Sequence, residues 1–269
     1  MLDKKALEHI AESANIPDLI EQVKGTKNPL AVLPSSFELQ SLEQFMPNRT
    51  SYRGTMETNS VADFFSYCKD YAEEGSKCFV DDSMAAVTIF DMGTESAPKH
   101  MKHKSILTLK KMSAYKELLS NVGSRMSQKD LSDFIEDLGD YMAINSTTES
   151  AMTIAQAAQA VKSVTIEQIK KSSSVVGDFD ESQEDLHSIG AKNKDSLPAY
   201  IRFSCTPYSG LLSREFIVRV SIMTGYEKPI FNLRIIKHEQ HIEEMAEEFK
   251  SLVIEGLEST EIKTFIGSF

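Results

Sequence analysis

Histidine pairs and a few grouped acids are the side chains of this sequence with the most capacity for chemistry. His100 and His103 form one His-x-x-His pattern, and His238 and His241 form a second. Four imidazoles can hold a zinc ion, which accepts nitrogen ligands in a tetrahedral shell. The helical zinc motif needs His-Glu-x-x-His, however, and the run KHEQH at 237–241 is one residue short, so solvent-exposed histidines are the simpler reading. Asp81, Asp82 and Asp91 could form a carboxylate cluster of the nuclease kind, but beside predicted strands they read more simply as turn and strand-end residues. No phosphate-binding G-x-x-x-x-G-K, no G-x-G-x-x-G and no G-x-S-x-G elbow occurs. Cys68, Cys78 and Cys205 lie inside apolar runs, fit neither a disulfide framework nor a C-x-x-C knuckle, and are expected to be buried, reduced thiols. Without a nucleophile, phosphate loop or ligand set, catalysis is disfavoured, and no metal or cofactor is expected.

Charge points instead to interaction. Residues 96–129 hold eight Lys and Arg against one Glu, a net of +7, which leaves -18 for the remainder of a chain whose total is -11. The basic candidates are Lys99, Lys102, His103, Lys104, Lys110, Lys111 and Arg125. The acidic candidates lie on two predicted helices: Asp133, Glu136, Asp137 and Asp140 on one, Glu243, Glu244 and Glu247 on the other. Apart from Lys129 and Lys250, no Lys or Arg stands at i,i+3 or i,i+4 from these carboxylates. Such polarity suits docking of one copy's basic segment on another's acidic face. The overall negative charge argues against nucleic-acid binding by the whole surface, although the 99–129 segment, with Tyr115 available to stack on a base, keeps that alternative open.

The element expected to position most of these groups is a helix over 126–142. Ser127 is a good N-cap with Asp130 three residues on, and Leu131, Phe134, Ile135, Leu138, Tyr141 and Met142 recur at helical spacing as a core stripe. Upstream, 3–24 reads as helix, 30–33 as a short strand and 36–45 as a helical turn. A strand is expected at 51–56 and a helix capped by Ser60 runs toward Gly75. Residues 77–81 and 85–91 form a hairpin, 105–110 adds a third strand, and 113–120 is helical. Residues 147–171 read as helix. After them 200–205, 212–222 and 230–236 form a meander covered by a helix at 238–257, with a last strand at 262–266. The fold class is therefore α+β, with antiparallel sheets packed by amphipathic helices. Domain boundaries are expected at 1–171, a linker or exposed loop at 172–194, and 195–269, with one continuous domain as the alternative. No apolar run approaches the roughly 20 residues of a membrane span, and 1–13 lacks a signal-peptide core, so no membrane partner and a cytoplasmic location are expected.

Four stretches carry a family resemblance: VLPSSFELQSLEQFMPNRTSYRG, APKHMKHKSIL, MSQKDLSDFIEDLGDYM and LPAYIRFSCTPYSG. Together they resemble the YfdQ family of bacteriophages, prophages and integrative elements, with Ser127-Gln128, the run 134–137 and His103 as the most specific parts. The pattern departs from that family where Leu131-Ser132 stands for Phe-Ala and where 113–120 lacks aromatic enrichment. The resemblance implies a mobile-element origin within the bacterial host cell, often beside DNA-recombination genes, and no catalytic residues. The combined expectation is a non-catalytic, self-assembling adaptor that binds itself and an unidentified host or phage protein, acting in recombination or against host defence. A single-stranded nucleic-acid-binding accessory protein is the alternative, and a metal-dependent enzyme with a histidine site is the second.

Overall fold

The computed structural model describes residues 45, 47–49, 51–146, 149–165, 197–223 and 228–269. The chain divides into two compact units, Met1–Tyr52 and Arg53–Phe269. Of the elements expected before residue 51, and of the 166–171 and 172–194 stretches, only Phe45 falls among the described residues.

The unit Arg53–Phe269 is α+β and contains two five-stranded sheets. The first is ordered β1 (Gly54–Thr58), β4 (His103–Thr108), β3 (Ala85–Ile89), β2 (Lys77–Val80) and β10 (Lys263–Ile266). The hairpin is antiparallel as expected, closed by Asp81, whose carboxylate accepts hydrogen bonds from the Ser83 and Ala85 backbone N–H groups, while Met84 takes φ +62°. The sheet is nevertheless mixed, because β1 pairs with β4 and β10 pairs with β2 in parallel. Both edge strands arrive through long connections. Helix α1 (Val61–Tyr71) follows β1, and the last helix precedes β10, which gives the chain enough length for parallel crossovers.

The second sheet is antiparallel throughout and ordered β6 (Ala151–Met152), β5 (Met142–Ser146), β7 (Pro198–Cys205), β8 (Arg214–Met223) and β9 (Ile230–Ile235). Strict alternation in β7 and β8 buries Ile201, Phe203, Phe216, Val218 and Val220 on one side. The outer edge of β9 is covered by the segment 122–126, where Phe231 and Met126 exchange backbone hydrogen bonds of 2.8 and 2.9 Å. Helices α2 (Ser113–Asn121), α3 (Gln128–Asp137), α4 (Ile154–Ser163) and α5 (His238–Leu257) complete the unit. One continuous apolar core takes residues from both sheets and all five described helices. Residues on either side of 172–194 share it, so that stretch does not separate two cores.

Helix α3 starts as its sequence dictates. The Ser127 hydroxyl accepts from Asp130 N–H, and the Asp130 carboxylate accepts from Ser127 N–H at 3.0 Å, a reciprocal box that holds this carboxyl below its ordinary range. Leu131, Phe134 and Ile135 are buried, and Leu138 is half-buried at the C-cap. The helix stops at Asp137, short of the expected 142. Gly139 weakens its continuation and packs so closely on Ile154 that an added Cβ would lie 3.1 Å from that side chain. The chain tightens into a 3₁₀ turn at Gly139–Tyr141 and enters β5 at Met142, where β7 supplies a strand partner. Tyr141 and Met142 therefore leave the helical stripe, and Tyr141 instead stacks on Phe203.

Candidate functional site

The histidines do not converge. His103, at the start of β4, is buried among Tyr67, Tyr71 and Phe90, with ring centroids 4.7–5.8 Å away, and its Nε2 lies 2.9 Å from the Tyr67 hydroxyl. Burial pushes its imidazole below the ordinary value of 6.5, against the opposing pull of Asp91 and Glu73. His100 is exposed in the preceding loop. On α5, His241 packs edge-on against Phe216, and its Nδ1 lies 3.7 Å from the Glu244 carboxylate. Among the described residues no three His, Cys, Asp or Glu side chains are grouped to hold a metal ion. Asp91 serves the backbone: its two carboxylate oxygens accept from Lys102 N–H at 2.9 Å and His103 N–H at 2.8 Å, fixing the entry to β4. The cysteines are free and buried. Burial raises the Cys68 thiol to about 12 and the Cys78 and Cys205 thiols to about 11, so none is a thiolate nucleophile at neutral pH.

His103 supplies a pH prediction. A folded-state pKa below the unfolded one means that the unfolded chain binds more protons, so stability is full above about pH 6.5 and falls as pH drops through the window below it. Thermal melts from neutral to acidic pH should show this loss, and His103→Phe should flatten that part of the profile. An unchanged profile in the variant would assign the acid sensitivity elsewhere.

Within the basic segment His103 is buried, Tyr115 is only 2% exposed and stacks on Phe216 at 5.2 Å, and Lys104, half-buried, places its ammonium 6.0 Å from the Phe269 ring centre. Lys99 pairs with Glu73 at 2.9 Å. Lys102, Lys110, Lys111 and Arg125 are exposed, but they lie on different segments around β4, α2 and α3. The acidic helices are also less open than their helical spacing suggests. Lys162 on α4 reaches Glu136, Arg214 on β8 reaches Glu244 and Glu248, and Lys250 joins Glu247 to Asp82 in the β2–β3 turn. Asp133, Asp137, Asp140 and Glu243 remain exposed.

A different surface gathers the cations. On the outward face of the second sheet, one row across β5, β7, β8 and β9 runs Asn145, Tyr200, Arg219, Arg234 through directly opposed pairs. The next row carries Ala143, Arg202 and Ile217. Arg202, Arg219 and Arg234 are exposed, as are Tyr200 and Ile217 at 42% each. None of the three arginines makes an ion pair or side-chain hydrogen bond within the described structure. Opposed like charges at Arg219 and Arg234 cost the sheet roughly 0.2–1 kcal/mol. Sequence reading missed this patch because its arginines are scattered over three strands. The signal was the period of two in IRFSC, VRVS and LRI, which puts every arginine opposite the buried face.

A family model described as "Uncharacterized conserved protein (DUF2303)" matches residues 3–269. The chain belongs to this family. No curated protein and no solved structure matches the chain. In this DUF2303 protein no described helix is long and apolar enough to cross a membrane.

Proposed function

We propose that this DUF2303 protein is a non-catalytic, self-associating accessory protein of a bacteriophage or mobile element, akin to the YfdQ group, that acts by presenting surfaces to its partners inside the host cell. The four sequence stretches described above support the mobile-element origin. Support for a binding role comes from the titratable groups: Asp81 and Asp91 hold turns, His103 packs in a core, and the cysteines are buried thiols. These groups have structural tasks.

The observation that carries self-association is the edge strand β10. Phe265, Ile266 and Phe269 are 44%, 64% and 60% exposed, beside a row of backbone groups that no further strand pairs with among the described residues. Phe265 stacks on Phe79 at 5.7 Å and Phe269 lies tilted against it at 4.8 Å, which makes an apolar strip at the rim of the sheet. An exposed apolar edge is a template for pairing with another chain. This reading shifts assembly from charge to apolar burial, since Lys99, Glu136, Glu244 and Glu247 already have partners within the chain.

Light scattering at low and high salt tests it. The protein should run as an oligomer whose mass is insensitive to salt and to alanine at Lys99, Lys102 and Lys104, because screening acts on exposed charges rather than apolar contacts. Ile266→Lys should reduce it to monomer. A monomer at every salt concentration would end the proposal, and an oligomer dissolved by salt would return assembly to the basic and acidic faces.

A further inference from the structure

We propose that the outward face of the second sheet is a binding platform for a single-stranded polynucleotide. The inference is independent of self-association through β10, which lies in the other sheet.

Four observations converge. First, Arg219 and Arg234 stand directly opposite each other, and Arg202 opposes Ile217 and so is the diagonal neighbour of Arg219, about 7–8 Å away across the strand pair. Three guanidinium groups thus project from one small area. A sheet that tolerates opposed like charges without a carboxylate partner is complementary to an anion that it does not itself contain. Second, the chain has seven arginines against twenty-two lysines, yet three arginines and no lysine occupy this face. Guanidinium is the group that forks onto phosphate oxygens and stacks flat on a base, whereas ammonium offers only a point charge. Third, Tyr200 lies in the same cross-strand row as Arg219, exposed and next to Asn145. An aromatic ring flanked by arginines is what bases of a single strand require, since an unpaired base can lay its face on the ring while its phosphates reach the cations. Fourth, the only acid on the outward positions of β5, β7, β8 and β9 is Glu215, opposite Ser204; it is diagonal to Arg202 alone, and Arg219 and Arg234 have no carboxylate opposite or diagonal to them on this face.

An acidic protein segment would satisfy the arginines but would leave the exposed Tyr200 ring and the flat apolar surface of Ile217 without a purpose. A duplex keeps its bases stacked inside, so it too would leave the ring unused. The strand chemistry that uses both the arginines and the exposed ring is phosphate alternating with an accessible base.

The test is fluorescence anisotropy with labelled oligo(dT) and oligo(rU) of about 30 nucleotides, titrated with the full chain. If three phosphates are neutralised, the log–log salt slope is about -2, so binding should weaken about 20-fold between about 0.05 and about 0.2 M salt. The variant Arg202→Ala/Arg219→Ala/Arg234→Ala should lose that salt-dependent binding. Tyr200→Ala should weaken binding roughly tenfold at fixed salt with the slope unchanged, because stacking carries no counterion release. Circular dichroism guards the interpretation: Arg219→Ala removes a like-charge opposition and should melt no lower than the unaltered chain. Binding of either single strand with these responses supports the proposal. No binding at the lower salt, a triple variant that binds normally, or a duplex bound as tightly as the single strands would overturn it. Polyglutamate binding as tightly as oligo(dT), with Tyr200→Ala without effect, would overturn it in favour of an acidic protein partner.

Discussion

Phe134→Ala should lower the unfolding free energy by about 3–5 kcal/mol, the range for removing a large aromatic side chain from a packed site. Phe134 is 5% exposed, on the face of α3 that also buries Leu131 and Ile135. The helix is pinned by its capping box at the start and by α4 alongside, where the Gln128 side-chain amide donates to the Val161 and Val164 carbonyls at 2.8 and 2.9 Å. A neighbourhood held in this way relaxes poorly into the space left behind. Asp133→Ala, one residue earlier on the exposed side, should change stability by no more than about 0.5 kcal/mol. Urea unfolding of the two variants decides, and equal midpoints would mean that the buried and exposed faces of α3 are interchanged.

Gly75→Ala should cost about 3 kcal/mol or more, although only one methyl group is added. Gly75 has φ +88°, where a side chain costs roughly 1–2 kcal/mol. Its added Cβ would also sit 2.4 Å from the Gly93 carbonyl oxygen, a backbone atom that cannot step aside as a side chain does. Overpacking of this kind adds roughly 1–3 kcal/mol. The close approach lets Ser76 reach across, its hydroxyl donating to the Phe90 carbonyl at 3.0 Å and accepting from Glu73 N–H at the same distance. Gly123→Ala is the comparison: φ is +76°, but no atom lies within 4 Å of its added Cβ, so only the conformational part is lost. Denaturation midpoints that fall equally for both variants would show that the contact with Gly93 is not what demands glycine.

Elements governed by short-range chemistry were legible from the sequence. The caps at Ser60 and Ser127, the Asp81 turn, the alternation in β7 and β8, and the span of α5 each depend on neighbours a few residues away. The helix over 126–142 was overextended because Tyr141 and Met142 keep the helical spacing, and nothing local reveals that β7, some sixty positions later, captures Met142 as a strand. The parallel edges of the first sheet were hidden for the same reason, since both pairings depend on how helices carry the chain back. Charge was the least legible property. Counting along the sequence grouped Lys99 with Lys104 and left Arg214 out, whereas the fold matches Lys99 with Glu73 and Arg214 with Glu244 and Glu248. The arginine face illustrates the converse: no run announced it, and only strand register assembled it.

The parallel pairing of β10 with β2 also constrains the order in which the molecule can form. About 180 residues separate Val80 from Lys263, so this contact closes a very large loop, while the β2–β3–β4 meander closes small ones. Synthesis from the N-terminus therefore presents the meander first, with Phe79 bare on its outer surface until α5 and β10 have left the ribosome. During that interval the nascent chain offers a sticky strand edge at β2 to any other nascent chain. A second copy emerging from the same message would be the nearest candidate to occupy it. The strand that finishes this sheet is thus the last to be made, and the β2 edge stays unpaired for most of the chain's synthesis.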